Sequence, residues 1–312
     1  MSTPEISIVI ASYNRQKTLP NIIQGILKQE LPGTFDFELI IVDNNSTDQT
    51  REVVQRLIAP SAGRLKYFKQ EIPGKSQALN LGIQEARGEI IAFTDDDVEV
   101  SQYWLLSIME GFKNQNCDCL GGRVLPVFPL NTPSWVRDNP NQMAGAVVIY
   151  DLGEKSRLAD SSTPRFIGAN WAFKKSIFKE CGLFKTDIGP GTPYIVGEDE
   201  EFFERLVQKK KILYYSAEAL IWHPVDLNRL KLKNVAKWHT ALGHYEAKKE
   251  YENKILPMAM FAGIPRYLIK GIISDFFLMI INAFNALKFR YFYRAFYRKW
   301  GMIVEYQKLK SL

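Results

Sequence analysis

Four short runs of β-branched and aromatic residues alternate with helical patterns in the first hundred residues. The runs are Ile6–Ser12, Phe37–Val42, Leu65–Phe68 and Glu89–Thr94. Apolar residues at helical spacing fill the intervals, as in Lys17–Gln29. Hydrophobic strands separated by helices are typical of a parallel sheet with right-handed crossovers. Ligands of such sheets bind beyond the carboxyl ends of the strands, so the residues that follow each run are the first candidates for a site.

The second half of the chain departs from this rhythm. Residues 126–165 contain five prolines, which predicts a long irregular excursion. Regular patterning returns with a strand, a helix and two extended segments at Phe166–Phe173, Glu200–Lys209, Ile212–Tyr215 and Ala219–Trp222. We therefore predict an α/β fold with a Rossmann-like mixed, mainly parallel sheet flanked by helices over residues 1–226. A helical C-terminal region over residues 227–312 follows it.

The composition limits the class of protein. The 312 residues are 46% hydrophobic and 24% charged, which excludes a disordered chain, a collagen-like repeat and a small disulfide scaffold. Cys117, Cys119 and Cys181 have no metal-binding spacing and are expected to be reduced thiols in the cytoplasm. Neither a signal peptide nor an uncharged apolar run of membrane-spanning length is expected.

Three consecutive aspartates, Asp95, Asp96 and Asp97, follow the fourth strand. Adjacent carboxylates at a buried edge repel one another, so a cation between them would lower the free energy. Mg²⁺ and Mn²⁺ accept such oxygen ligands, and a diphosphate would supply the others. The alternatives are a solvated acidic turn or the N-cap of the next helix.

Two further acidic positions lie at the ends of predicted elements. Asp43 closes the second strand, where a carboxylate can accept a hydrogen bond from a nucleobase, or can simply form a turn. Glu198 and Asp199 open a predicted helix. A carboxylate there can act as a general base toward a hydroxyl group, or can serve only as a charged first turn that the helix dipole favours.

His223 and Lys75 are the remaining candidates. His223 follows an apolar strand and could ligate a metal, although a lone histidine more often has a structural role. Gly74-Lys75-Ser76 matches half of a nucleotide-binding P-loop, but Lys69 stands where that pattern requires glycine. An NTPase of that class is therefore excluded. Two interpretations of Lys75 remain: it neutralises a phosphate, or it is an ordinary surface lysine.

Several motifs occur together in one order along the chain. They read IVIASYNR at 8–15, IVDNNSTD at 41–48, GKSQALNLGI at 74–83, GEIIAFTDDD at 88–97, GAN at 168–170 and GED at 197–199. Over residues 5–225 this series resembles the family 2 glycosyltransferases. The resemblance implies the GT-A fold, a nucleotide-sugar donor that is usually a UDP-sugar, Mn²⁺ or Mg²⁺ as cofactor, and inversion at the anomeric carbon.

The resemblance also implies roles for individual residues. Ala11 and Tyr13 would line the nucleobase pocket, Asp43 would bind the base, Lys75 and Asp96 would border the nucleotide sugar, and Asp95 would hold the ribose or the metal-bound diphosphate. Asp97 and His223 would ligate the metal. Asp199 would be the general base. Contacts with the sugar or acceptor are assigned to Asn170 and Glu198, and to Trp135 and Trp171, whose rings could instead belong to the core.

The C-terminal quarter has a distinct charge. Residues 227–312 contain 16 Lys and Arg against 5 Asp and Glu, whereas the rest of the chain contains 24 against 29. Densely apolar residues and a run rich in Arg, Tyr and Phe alternate over 255–300. This pattern favours a peripheral contact with an anionic membrane, on its inner, cytoplasmic face. Packing on the catalytic domain or dimerisation is the alternative, and nucleic-acid binding lacks a recognised module.

These expectations combine into one hypothesis about function. The chain is expected to be a metal-dependent inverting glycosyltransferase that moves a sugar to a glycan or a lipid-linked acceptor in cell-surface polysaccharide synthesis. A sugar-phosphate nucleotidyltransferase would need a glycine-rich loop where the sequence reads Ala11-Ser12-Tyr13-Asn14-Arg15. The other alternative is a non-catalytic module, with a degenerate GT-A domain, that binds sugars or tethers a complex to a membrane.

Overall fold

A computed structural model describes residues 3–33, 35–160, 162–255 and 259–310, so residues 256–258 of the predicted membrane-contact segment lie outside it. The strands are β1 Ile6–Ser12, β2 Phe37–Asp43, β3 Leu65–Lys69, β4 Ile90–Thr94, β5 Glu99–Val100, β6 Cys119–Val127, β7 Arg157–Leu158, β8 Asn170–Lys174, β9 Leu213–Pro224, β10 Met260–Phe261 and β11 Ile264–Pro265. The α-helices are α1 Leu19–Leu27, α2 Thr50–Ile58, α3 Lys75–Glu85, α4 Trp104–Gln115, α5 Ser134–Arg137, α6 Ile177–Glu180, α7 Glu198–Gln208, α8 Leu232–Glu252, α9 Arg266–Ile281 and α10 Ala286–Lys310.

The main sheet is mixed, as predicted. Among the described residues its strands follow the order β3-β2-β1-β4-β8-β6-β9-β5, and β7 pairs with β9. The pairs β3–β2, β2–β1 and β1–β4 are parallel because helices α1, α2 and α3 carry the chain back between them. β8 enters antiparallel between β4 and β6, whereas β6 and β9 are parallel. The parallel arrangement predicted from the alternating strands and helices therefore describes β1 to β4, the N-terminal half of the sheet.

Strands β1 and β2 form the centre of the core. Every residue of β2 is buried, and only Ala11 of β1 is partly accessible. Helix α3 packs directly on β1, because a Cβ at Gly82 would lie only 2.3 Å from a methyl carbon of Val9. Fully burying one large aliphatic side chain contributes about 1.5–3 kcal/mol, so the repeated isoleucines and valines of these strands dominate the stability of this half.

The register of the parallel strands defines one edge of the sheet. Ser12 is paired with Asp43, and Asp43 is paired with Lys69. These residues are the last of β1, β2 and β3, and β4 ends at Thr94, immediately before the three aspartates. The polar residues that follow four separate strands therefore emerge at the same edge, where parallel α/β sheets bind their ligands.

Several element boundaries differ from the sequence expectations. Helix α3 ends at Glu85 with Ala86 extended, and a Cβ at Gly88 would lie 2.7 Å from the backbone nitrogen of Ser7. A close approach between chain segments is therefore what requires glycine there. The strand expected at Phe166–Phe173 begins only at Asn170, and the two segments expected between 212 and 222 form one strand, β9.

Contacts between residues group the chain into two compact units. The first, the catalytic unit, comprises Met1–Val127, Ile149–Thr192 and Glu198–Pro224, and it contains the main sheet. The second, the helical unit, comprises Phe128–Val148, Pro193–Gly197 and Val225–Leu312. Two short segments from the middle of the sequence thus group with the C-terminal helices. The division into domains at residue 226 stays a prediction.

Close helix packing holds the helical unit together. A Cβ at Gly243 of α8 would lie 2.0 Å from the carbonyl oxygen of Arg298, and one at Gly301 of α10 would lie 2.1 Å from that of Thr240. The two helices therefore touch backbone to backbone. Tyr194 donates a 2.6 Å hydrogen bond to the buried Glu305, which attaches the segment Pro193–Gly197 to α10. None of the helices in the described ranges has the length and hydrophobicity needed to cross a bilayer.

Candidate active site

The three aspartates after β4 are paired with two cationic side chains of the catalytic unit. Lys75 Nζ lies 2.9 Å from Asp95 Oδ1. Arg15 Nε lies 2.9 Å from Asp96 Oδ1, and an Arg15 terminal nitrogen lies 3.4 Å from Asp97 Oδ2. The repulsion expected among adjacent carboxylates is therefore offset by two cationic side chains from other elements. A solvated acidic turn does not describe this arrangement.

These contacts separate the pKa values of neighbouring carboxyl groups. Burial alone would raise the pKa of Asp95, but the charges of Lys75 and His223 outweigh it and hold that pKa well below its usual value. For Asp96, burial prevails with help from the charge of Asp97, so its pKa is raised despite Arg15. Burial lowers the pKa of Lys75, but the charges of Asp95 and Glu198 outweigh burial and raise it. The ammonium of Lys75 therefore stays protonated.

His223 faces the free oxygens of two of these aspartates. Its Nε2 lies 3.7 Å from Asp95 Oδ2 and 3.8 Å from Asp97 Oδ1, the oxygens that Lys75 and Arg15 do not occupy. Its Nδ1 lies 3.0 Å from the carbonyl oxygen of Pro224. A carbonyl can only accept, so Nδ1 carries a proton and Nε2 is directed at the carboxylates. Burial lowers the pKa of His223, but Asp95 and Asp97 outweigh that effect and raise it.

The donor set fits a divalent cation in its chemistry. Within the ranges that the structure describes, no group of three His, Cys, Asp or Glu side chains is arranged to hold a metal ion without some movement. The Nε2 of His223 nevertheless lies 3.7 Å and 3.8 Å from one oxygen each of Asp95 and Asp97, which are gaps wider than a hydrogen bond. Mn²⁺ and Mg²⁺ accept carboxylate oxygens, and Mn²⁺ also accepts imidazole nitrogen. These residues are therefore the ones that could hold the ion.

Glu198 and Asp199 open helix α7 near the same lysine. Both carboxylates raise the pKa of Lys75 through their charge. Burial, followed by the charge of Asp199, raises the pKa of Glu198 to about 7. Asp199 is more accessible, and its Oδ2 accepts a 3.3 Å hydrogen bond from the backbone nitrogen of Gly168. A partly exposed carboxylate held in this way has the properties of a general base.

Two glycine-containing turns position Lys75. The backbone nitrogen of Gly74 donates to the side-chain oxygen of Asn44 at 3.0 Å, and that of Lys75 donates to the carbonyl of Pro190 at 2.8 Å. Gly74 has φ +144°, and Gly191, with φ +92°, lies so close that a Cβ would be 2.9 Å from the Cα of Gly74. A larger residue at either position would push Lys75 away from Asp95.

The candidate nucleobase residues lie at the ends of β1 and β2. Asp43 is buried; its Oδ1 accepts from the backbone nitrogen of Ser46 at 2.8 Å, and its Oδ2 accepts from the hydroxyl of Tyr67 at 2.7 Å. Tyr13 is exposed just beyond β1, and Ala11 is partly accessible. Both carboxylate oxygens of Asp43 already accept protein donors, which favours the turn interpretation, and base binding by Asp43 stays a prediction.

The predicted sugar-contact residues other than Glu198 have structural partners. Trp171 is 1% exposed and packs against Phe173, Phe184 and Phe202, which favours the core alternative. The amide of Asn170 is saturated: it donates to the carbonyls of Arg123 and Ala219 and accepts from Trp104. Trp135 belongs to the helical unit, where the guanidinium of Arg290 lies 4.5 Å from its ring centre.

Arg15 is the residue of this site that the sequence analysis did not assign. It stands in the first motif, two residues after Tyr13, and it reaches aspartates that follow it by more than eighty positions. The sequence did contain a reason to expect such a residue: three adjacent carboxylates need more positive charge than Lys75 alone supplies.

The mixed sheet, with acidic residues at the carboxyl ends of its parallel strands, agrees with the GT-A fold. The profile of Glycosyl transferase family 2 matches residues 7–182, more than half of the chain. The chain therefore belongs to glycosyl transferase family 2 and is a glycosyltransferase.

Two curated relatives indicate the range of this similarity. Glycosyltransferase AglE of Haloferax volcanii is 28% identical over 222 residues, which cover 71% of this chain and 67% of AglE. The GalNAc(5)-diNAcBac-PP-undecaprenol beta-1,3-glucosyltransferase of Campylobacter jejuni is 34% identical over 123 residues, but the match covers only 38% of either protein. The chain thus spans little more than a third of that second relative.

Solved structures support the fold. S. aureus TarS 1–349 in complex with UDP has a TM-score of 0.56 at 14% identity, and the match covers 99% of this chain and 92% of that one. The mannosyltransferase PcManGT from Pyrobaculum calidifontis, in complex with GDP-Man and Mn²⁺, has a TM-score of 0.57 at 17% identity, covering 99% and 75%. At these identities the likeness establishes the GT-A fold.

Proposed function

We propose that this chain is a metal-dependent inverting glycosyltransferase that moves a sugar from a UDP-sugar to a hydroxyl group. One observation carries the proposal: His223 Nε2 lies within 3.8 Å of one oxygen each of Asp95 and Asp97, while Lys75 and Arg15 contact the other oxygens of these carboxylates. The binding of UDP by TarS and of GDP-Man with Mn²⁺ by PcManGT supports a nucleotide diphosphate and a metal at this edge.

In this mechanism Asp199 removes the acceptor proton. The acceptor oxygen forms a bond to the anomeric carbon from the face opposite the nucleotide, while the bond from that carbon to the diphosphate oxygen breaks. The proton passes to the carboxylate of Asp199, and the electron pair leaves with UDP. Asp97 and His223 would hold a divalent ion, which would supply positive charge near the departing diphosphate. Lys75 keeps Asp95 ionised, and Arg15 orients the carboxylates of Asp96 and Asp97.

The donor proposal is tested by thermal-shift measurements with nucleotide diphosphates and their sugars, with and without Mn²⁺. We expect UDP to raise the midpoint only when Mn²⁺ is present. Asp97→Asn should abolish this dependence, whereas Glu99→Gln, which changes an exposed carboxylate two residues away, should retain it. Stabilisation by purine nucleotides alone would contradict the uridine assignment.

A non-catalytic module is the alternative that the sequence left open. Membership of the family and the full set of Asp95, Asp97 and Asp199 argue against it. Metal-dependent release of UDP from a UDP-sugar without acceptor distinguishes the two, because a binding module would release none. The control is Asp97→Asn, which should lower the release to the uncatalysed rate.

We further propose that the acceptor is a glycan or a lipid-linked sugar at the cytoplasmic face of the membrane, within cell-surface polysaccharide synthesis. The name of the Campylobacter relative, whose acceptor is linked to undecaprenol, supports a lipid-linked acceptor, and the basic C-terminal quarter supports a membrane location. Transfer of labelled sugar to a polyprenyl-diphosphate glycan, compared with the same glycan free in solution, tests the acceptor class. Equal rates would contradict a role for the lipid.

A further inference from the structure

The hairpin formed by α9 and α10 ends in an exposed apolar surface. Phe277, Ile280, Ile281 and Phe284 define this surface, here named the hairpin tip, and Phe284 is fully exposed. Ile273, one turn before Phe277, is exposed on the same face of α9. Spacings of four, seven and eight residues from Ile273 place Phe277, Ile280 and Ile281 in one stripe along α9, and Phe284 follows in the turn. The tip is therefore a continuous patch and not a set of scattered residues.

The hairpin does not need these apolar residues to close its turn. The side chain of Asn282 donates to the carbonyl of Leu278 at 2.7 Å, and the side-chain oxygen of Asn285 accepts from the backbone nitrogen of Lys288 at 3.0 Å. The asparagines thus cap the end of one helix and the start of the next. Phe284, between them, adds only exposed apolar surface, which is unfavourable in water and marks a contact site.

The charge around the tip has one sign. Residues 255–300 contain seven Lys and Arg but a single acidic residue, Asp275. Asp275 is buried and forms an ion pair with Lys299, so it does not present negative charge to the solvent. Lys270 on α9 and Lys288 at the start of α10 are exposed. An apolar stripe bordered by lysines complements an anionic lipid surface more closely than it complements a second basic copy of the chain.

A groove of about 410 Å³ lies beside the tip. Leu278, Leu287, Tyr291 and Phe292 supply its apolar walls, and Lys288 lies at its border. An apolar groove next to a lysine has room for part of an acyl or isoprenoid chain whose headgroup is negative. This is a second feature of the same hairpin that suits lipid.

We propose that the hairpin tip is a membrane-docking surface whose partner is a bilayer leaflet rich in anionic headgroups. The hairpin lies in the interface with Phe277, Ile281 and Phe284 inserted among the acyl chains, and Lys270 and Lys288 contact the phosphates. No helix crosses the bilayer in this arrangement, in agreement with the helices of the described ranges. The inference rests on the proposed acceptor at the membrane face, and it names the residues that hold the enzyme at that membrane.

Flotation of the full chain with vesicles tests the proposal. Phosphatidylcholine vesicles with and without phosphatidylglycerol are compared. Ile281→Ser/Phe284→Ser should weaken binding to both compositions by about tenfold or more, because two large apolar side chains no longer insert. Lys270→Gln/Lys288→Gln should weaken binding about fivefold per lysine, and only on vesicles that contain phosphatidylglycerol.

The matched control is Val207→Ser/Ile212→Ser, which removes two exposed apolar side chains from the catalytic unit and should leave binding unchanged. Equal flotation of the wild type and the tip variant would overturn the proposal, as would a tip variant that only dissociates a dimer on a sizing column. UDP release is measured separately without vesicles. If the wild type releases UDP but does not float with vesicles, only this inference is overturned. If it floats with vesicles but releases no UDP, only the proposed function is overturned.

Discussion

The ammonium of Lys75 and the carboxylate of Asp95 form a 2.9 Å ion pair between the first residue of α3 and the residue that follows β4. Each side chain keeps about a quarter of its surface accessible, so a diphosphate can still approach the pair. The contact therefore stabilises the acidic edge and leaves the lysine partly accessible.

Replacing Lys75 by Met should weaken donor binding and lower stability. Asp95 would lose its main compensating charge, so we expect the donor KM to rise about tenfold and the free energy of unfolding to fall by about 1–3 kcal/mol. Initial-rate kinetics and urea unfolding measure the two effects. Lys113→Met, at an exposed position of α4, is the control, and a Lys75 variant that behaves like it would contradict the assignment.

Replacing Asp199 by Asn should remove the general base and little else. We expect kcat to fall by about 10²–10⁴-fold, because the acceptor proton has no carboxylate to receive it. The donor KM should change by less than about threefold, since the residue acts on the acceptor. Glu200→Gln is the adjacent control. Near-normal turnover of Asp199→Asn would refute the role.

Glu198 should make the protein less stable as the pH rises toward neutrality. Its pKa is raised from 4.5 to about 7, so between these values the folded state binds more protons than the unfolded state. Stability therefore falls across this window, and by pH 7–8 the cost is about 3 kcal/mol. Glu198→Gln should flatten the curve and be more stable at pH 8. Chelator-treated protein unfolded in urea from pH 4.5 to 8 tests this, and parallel curves would contradict it.

His223→Gln should raise the Mn²⁺ concentration needed for half-maximal activity by about 10–100-fold. The variant's kcat should recover at saturating Mn²⁺ if the histidine acts only through the metal. In the wild type the Mn²⁺ requirement should increase as the pH falls, because a proton and the ion compete for Nε2 and the pKa of His223 is raised. Mn²⁺ titrations at two pH values measure both effects, and an unchanged requirement in the variant would exclude ligation.

Much of the catalytic unit could be predicted from local patterns. The runs at 6–12, 37–42 and 65–68 become β1, β2 and β3 with shifts of at most one residue, because short runs rich in β-branched and aromatic residues favour strands. The residues that follow these strands gather at one edge because parallel strands share their direction. The antiparallel entry of β8 between β4 and β6 was not predictable, since strand order depends on pairings between residues far apart in the chain.

The sequence by itself determined the mixed α/β class, the family and which acidic residues stand at strand ends, because hydrophobic periodicity and motif order are local properties. Only the tertiary structure decided that Arg15 reaches Asp96 and Asp97, that Glu198 is buried beside Asp199, and that Trp171 belongs to the core. The reason is physical. Charge, burial and pKa depend on distances between groups separated by tens of residues, and those distances exist only once the sheet has assembled.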